Sequence, residues 1–521
     1  MSRREVNLYV ESIGVMRKAL LLFLCCIFVV SCAQKETENV LSVAISSEPP
    51  TLDTMVNTSL ISRIVSVGNI YERLLVLDGD GKIRTELSDS YSLSPDGKHL
   101  EFKLREGVLF HDGKEMRAED VVASLNRWIE VYGNAKNFVG ENRFYALDDH
   151  TVAIDSESSL VLFPFLLASA PQSAIIVPSS VIKSLKKGEL MTSSIGTGPY
   201  KLSSWNSGEK ITLERFDGYK SYSDTSNGIW GEKKANIETL EYYFVSDSTT
   251  RRLGLQRGQY DFMNDLMSED RSAFMNNDKY SVIEGGESGS IALVFNKKEG
   301  IGQDINFRKA VSLALDPDSL MKACYGNYGY NVHPDYMEKE QTIWNTEDVN
   351  PYQGQDIEKA KEYLEKVADV GKIRILTSNL SNLDKIALKM SESLERVGIK
   401  TEIISTDWAS MIEKRKTADA WDIYISAFSR VSIPQMKSYL SSTFPGWIDP
   451  ECDGMVLLDK MNDAMSLEDA VSIWKDAQSA FYEYVPAIIP GHYITSYVSK
   501  SEVKGIINQD GFFFWNAEVS R

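Results

Sequence analysis

Short runs of alternating apolar and polar residues recur along this chain, separated by stretches with helical spacing. Leu41-Ser42-Val43-Ala44-Ile45 reads as a first strand, closed by Glu48-Pro49-Pro50. Residues 60–77 then place Ile61, Ile64 and Val65 at helical intervals, ahead of the apolar run from Tyr71 to Leu75. In 99–104, Leu100, Phe102 and Leu104 share one face, and the turn residues Pro95-Asp96-Gly97 just before them predict a hairpin. Asp112-Gly113 makes a second turn. After it, Ala118-Glu119-Asp120 puts acids in the first turn of a helix bearing Val121, Val122, Leu125, Trp128 and Ile129. Strands are predicted at 151–154, 201–205, 211–216 and 237–245, with a helix over 249–256.

The pattern shifts near Gly289-Ser290. Residues 291–295 read as a buried strand, and Phe307, Ala310, Val311, Ala314 and Leu315 follow with helical spacing. Asp316-Pro317 breaks that helix and places Asp316 to cap the next. Strand, helix, strand, strand over 372–376, 384–397, 401–404 and 421–428 is the alternation of an α/β unit. A helix over 470–484 and short strands at 503–507 and 511–515 close the chain. Two α/β bodies with the chain crossing between them more than once leave a cleft, and such clefts are favoured ligand sites.

The N-terminus departs from this globular pattern. Met16-Arg17-Lys18 precedes about a dozen mostly apolar residues and then Ser31-Cys32, the layout of a secretory signal whose apolar stretch is short for a membrane span. Val29-Val30-Ser31-Cys32 resembles the lipobox of bacterial lipoproteins, in which cleavage leaves the cysteine as a lipid-modified N-terminus. Residues 1–31 are therefore expected to be an upstream extension plus signal peptide, and 32–40 a polar tether from lipidated Cys32 to the body. In the body only Cys324 and Cys452 remain, enough for at most one disulfide and without a motif.

Composition narrows the chemistry. At 521 residues the chain is too long for one core. Its net charge of −18, with no Lys/Arg-rich run, argues against nucleic-acid binding. None of His99, His111, His150, His333 and His492 has a partner at metal-ligand spacing, and neither a phosphate-binding loop nor a nucleophile elbow occurs. Catalysis therefore has no foothold in the sequence, and neither metal nor cofactor is expected.

Seven further segments stand out in order along the chain: Ser47-Glu48-Pro49-Pro50-Thr51-Leu52-Asp53, Tyr71-Glu72-Arg73-Leu74-Leu75, the stretch from Gly107 to Val121 around His111-Asp112-Gly113, Gly196-Thr197-Gly198-Pro199-Tyr200, Thr250-Arg251-Arg252-Leu253-Gly254-Leu255-Gln256-Arg257-Gly258, Phe295-Asn296 with Phe307-Arg308-Lys309-Ala310, and Ala314-Leu315-Asp316. Together they resemble the family 5 extracellular solute-binding proteins, the peptide- and nickel-complex-binding components of ABC importers. The resemblance implies an α/β, two-lobed periplasmic-binding-protein-like fold with an extra inserted domain and a ligand cleft between the lobes. Domain I would comprise 41–75, 192–289 and 486–521, domain II 76–191, and domain III, the second lobe, 290–485. It also implies a monomeric, lipid-anchored envelope protein, facing the periplasm or the cell exterior. Such a protein would hand a peptide or small solute to permease subunits driven by cytoplasmic ATPases.

By the same resemblance Trp408 and Phe428 line the cavity, with Ser432 nearby. Peptide-binding members carry an aspartate about three residues after that aromatic, but here Val431 stands in its place. Arg430 would repel an ammonium group and suits a carboxylate, so an anionic non-peptide ligand or a metal chelate is the alternative. A surface adhesin or receptor on the same fold is a third reading. Asn57, just after the first strand, is a further candidate for the cleft.

Overall fold

Two long strands organise the body, Tyr280–Phe295 and Ala487–Lys500, which run antiparallel from Tyr280 opposite Lys500 to Val294 opposite Ala487. The structure, a computed structural model, describes residues 39–221, 225–346 and 349–520; the predicted signal and Cys32 lie outside them. At one end of the pair, Gly289–Phe295 takes Ile423–Ser429 as its neighbour, and Lys372–Ser378 and Lys400–Thr406 extend the sheet in parallel. At the other end, Val498 and Ser499 pair with Phe262–Met263, and the sheet continues through Val40–Ile45, Thr239–Phe244, Lys210–Arg215 and Tyr200–Asn206. The result is one mixed sheet of 11 strands among the described residues. The predicted boundary at 290 falls inside a continuous strand.

Residues 291–295 form a continuous buried strand because both faces are covered. Ile291, Leu293 and Phe295 pack with Phe307, Val311 and Ile386, whereas Ala292 and Val294 face the opposite cluster. Inside 76–191 a separate antiparallel sheet forms in the order Ser88–Leu93, His99–Leu104, Thr151–Asp155 and Tyr145–Asp148. The helix Ala118–Val131 buries Val121, Leu125, Trp128 and Ile129, the stripe expected from spacing. The apolar run of 160–168 is core, with a short buried helix at Phe163–Leu167. No helix among the described residues is long and apolar enough to cross a membrane.

Three of the seven segments make structural contacts with the rest of the chain. Asp53 holds Arg127 through two hydrogen bonds of 3.0 and 2.6 Å in a buried pair. The His111 ring lies 3.0 Å from the Gly198 carbonyl and accepts from the Gly196 amide, which locks the first turn of one motif onto the backbone of another. A side chain at 198 would come within 2.2 Å of the Asn69 carbonyl, so glycine is required there.

Two local expectations need correction. Asp316 stands at the start of Pro317–Tyr325 but accepts the Ser319 hydroxyl instead of capping a backbone amide. The terminal strands are shorter than read, with Val503–Lys504 pairing Glu518–Val519 and Ile507–Asn508 pairing Phe512–Phe513. Gly505, with φ 72°, and Asp510, with φ 53°, turn the chain between them. The sequence left open whether Cys324 and Cys452 pair; both are free, and Cys324 is buried with its thiol donating to the Ser381 carbonyl.

Candidate functional site

The seam between the two groups of strands is irregular. The register of Tyr280–Phe295 against Ala487–Lys500 slips between Glu284 and Glu287 and again between Glu287 and Gly289. Bulges of this kind bend a strand and re-aim its side chains, and they recur beside functional sites. A cavity of about 220 Å³ opens there. One wall is Gly285 to Ser288, and a second is Tyr493, Thr495 and Tyr497, which share a face because strand side chains alternate. The helix Leu60–Ser66 contributes Leu60 and Arg63, the end of Ile423–Ser429 leads into Arg430, and Asn508 to Gly511 close the far side.

Charge in this cavity is of both signs. Arg63 is 8% exposed, its Nε makes no hydrogen bond, and no carboxylate among the described residues lies within ion-pair distance of it. Burial draws its guanidinium below the usual arginine value, opposed by the charge of Asp510. Arg430 donates its backbone amide to the Ser288 carbonyl at 2.9 Å and places Nε 3.8 Å from Asp510, a separation too long for a hydrogen bond. Asp510 sits in the left-handed region, an observed strain of the kind that concentrates at functional sites. Across the cavity Glu340 accepts the Glu287 amide through Oε1 at 3.1 Å, while its Oε2 is buried without a partner. Gly286 makes room for that carboxylate, since a Cβ there would lie 2.7 Å from it.

Of the ligand-binding candidates read from sequence, Arg430 lines this cavity and four do not. Trp408 begins the helix Trp408–Lys414 and is 39% exposed. Phe428 packs edge-on against Tyr439 at 4.8 Å and against Phe444. Ser432 is buried, with its hydroxyl on the Met436 sulfur. Asn57 bonds Ser62 and accepts the Ser59 amide, organising the start of the helix that carries Arg63. Val431 packs half-buried against the core. Arg63 and Glu340 were missed, although Arg63 had a signal: it lies on the buried face of a helix beside Ile64, where an arginine is rare without a partner.

Glu287 turns its carboxylate away from the cavity into a buried cluster. His333 and His492 stack there with ring centroids 4.0 Å apart and planes 4° from parallel. The carboxylate of Glu287 meets His333 Nε2 at 2.9 Å and also accepts from Asn331 and the Lys339 amide. Burial would raise the Glu287 carboxyl, but the His333 hydrogen bond and the charges of both rings hold it down at about 2. Burial likewise opposes the His333 charge, yet Asp335 and Glu287 lift that ring to about 9. Glu338 pairs with Lys437 at 2.7 Å close by.

The chain as a whole resembles known proteins. The family described as bacterial extracellular solute-binding proteins, family 5 (middle region), matches residues 82–449. A probable peptide ABC transporter periplasmic-binding protein of Sinorhizobium fredii is 23% identical over 489 residues, covering 89% of this chain and 91% of that one. The glutathione-binding protein GsiB of Escherichia coli K12 is 27% identical over 376 residues, covering 70% and 69%. Among solved structures, the binding protein AgaA of A. tumefaciens R10 in complex with agropinic acid aligns with a TM-score of 0.75 at 24% identity, covering 92% and 99%. The chain belongs to the bacterial extracellular solute-binding proteins of family 5.

Proposed function

We propose that this protein captures a small zwitterionic solute, by a carboxylate laid against Arg63 and Arg430 and a cationic group laid against Glu340, and delivers it to an ABC importer. The observation that carries the reading is Arg63, a nearly buried guanidinium with no partner of its own in the wall of a cavity. Burying an unpaired charge is costly, and proteins keep one where a ligand completes it. The planar donor fork of arginine matches a carboxylate, and a second arginine beside it adds donors from another segment. Glu340 supplies the complementary end. It takes the part that the absent aspartate at position 431 would take in peptide-binding relatives.

The cavity favours a short ligand. Its volume lies below the range of about 300–1,000 Å³ typical of ligand pockets, so a solute of dipeptide or tripeptide scale fits better than a long peptide. The names of the relatives agree in chemistry, since peptides, glutathione and agropinic acid all carry carboxylates. In this reading the two strand groups are lobes joined through Tyr280–Phe295 and Ala487–Lys500, and the solute favours their closed arrangement by bridging residues from both. Lipidation at Cys32 holds the protein at the membrane beside the permease.

Two outcomes check these statements. Arg430→Ala is expected to weaken solute binding by roughly tenfold in isothermal titration, as for loss of one charged hydrogen-bonding partner; an unchanged affinity would remove Arg430 from the site. Cys32→Ala is expected to move the protein from the membrane to the soluble fraction on cell fractionation, and a protein still in the membrane pellet would refute the anchor.

A further inference from the structure

We infer that the buried cluster beside the cavity is a binding site for a divalent transition-metal ion of the zinc type, with His333 Nε2, His492 Nδ1 and Glu287 as its protein ligands. The three ligand atoms lie within 4.8 Å of one another and all three residues are buried. Four-coordinate zinc with N/O ligands at about 2.0–2.1 Å needs donor separations on the order of 3.3 Å. Small side-chain movements therefore close the set. The site is separate from the solute cavity, because the side chains of Glu287 and His492 have no exposed surface.

The arrangement of the far nitrogens supports this reading more strongly than proximity. Metal-bound histidines direct one nitrogen at the ion and donate the other to a carboxylate or carbonyl, which fixes the tautomer. Here Asp335 performs that task for both rings. Its carboxylate oxygen lies 3.2 Å from His333 Nδ1, and its backbone carbonyl lies 3.0 Å from His492 Nε2. Each ring thereby directs its remaining nitrogen toward Glu287. His492 Nδ1 has no hydrogen-bond partner although it is fully buried, and it faces Glu287 at 3.7 Å and Glu338 at 3.8 Å. Glu338 Oε2 is also buried without a partner beside the cluster.

Charge balance points the same way. The cluster buries three carboxylates, Glu287, Asp335 and Glu338, against a single ammonium group, Lys437. With both imidazoles neutral, a divalent cation neutralises the assembly, as two imidazolium charges do without it. The ion takes the place that a proton on His333 otherwise holds between its Nε2 and Glu287. Because Glu287 lies between the two register slips, the ion would pin the seam that bears the cavity wall, so its role is resident and not that of cargo.

The test uses the purified protein after chelator treatment, titrated with zinc chloride alone and, separately, with cobalt chloride. One ion per chain is expected, with cobalt giving the intense visible absorption of a four-coordinate site. His492→Gln is expected to weaken zinc binding about 100-fold or more, and Asp335→Asn, which alters the carboxylate facing His333 Nδ1, by 10–100-fold. Arg63→Met is expected to leave zinc binding unchanged, which separates this site from metal held in the solute cavity. Wild-type protein that shows neither saturable zinc binding nor a cobalt band would overturn the assignment, whatever the folding of the variants. So would zinc affinity that is equal in wild type and in folded His492→Gln.

Discussion

Arg63→Met is expected to abolish solute capture while leaving the protein folded and at least as stable as before. Most buried arginines hold something together, and removing one breaks a pair. The pair Asp53–Arg127 is an example, with the guanidinium and carboxylate both buried and joined by two hydrogen bonds. Arg63 has no such partner among the described residues, so methionine of similar length replaces an uncompensated charge by an apolar chain. Relief of that desolvation offsets whatever packing is lost. The solute loses its principal counter-charge in the cavity. Truncating one member of a buried charged contact costs about 2–5 kcal/mol, or roughly a 30- to several-thousand-fold rise in Kd. Thermal unfolding of the solute-free protein and titration with solute separate the two effects. A variant that unfolds at lower temperature but binds normally would show Arg63 to be structural.

The opposite outcome is expected for Lys233→Met, a loss of about 3–5 kcal/mol of stability. The ammonium of Lys233 lies 2.8 Å from Glu72 and 2.8 Å from Glu86, and all three side chains are almost wholly buried. Glu72 also accepts from the Thr197 and Tyr219 hydroxyls, and Glu86 accepts the Arg73 amide. Methionine leaves two carboxylates buried with no cation between them. The surrounding donors lessen that penalty without neutralising either charge. Denaturant unfolding monitored by circular dichroism measures the loss, and a change below about 1 kcal/mol would mean that solvent or another cation reaches the carboxylates. This triad joins two of the segments read from sequence, those around Glu72 and Thr197, through the Thr197 hydroxyl on Glu72.

How much the sequence revealed depended on how local the signal was. Strands and helices with strict periodicity, such as His99–Leu104 and Ala118–Val131, appear where predicted because burial on one face dictates residue type at each step. The terminal strands were overextended because Gly505 and Asp510 turn the chain through tertiary contacts invisible to local pattern. Resemblance to the family identified Arg430 through its neighbours Phe428 and Val431, but it placed Trp408 and Phe428 in the cavity, and neither lines the one seen here. Arg63 left one local signal, a charge on the buried face of an otherwise apolar helix. His333 and His492 are far apart in sequence and meet only because Tyr330–Asn331 pairs with Ala487–Lys500, bringing Asn331 opposite His492. Spacing rules for metal ligands cannot register such a pairing.

The most direct test of the central claim is the identity of the solute that the protein carries when purified without denaturation from the cell envelope, released and measured by mass spectrometry. The account predicts a solute of dipeptide or tripeptide size bearing at least one carboxylate and one cationic group, present on the wild type and absent from Arg63→Met. A neutral solute such as a sugar, or the same solute retained at equal occupancy by Arg63→Met, would contradict it.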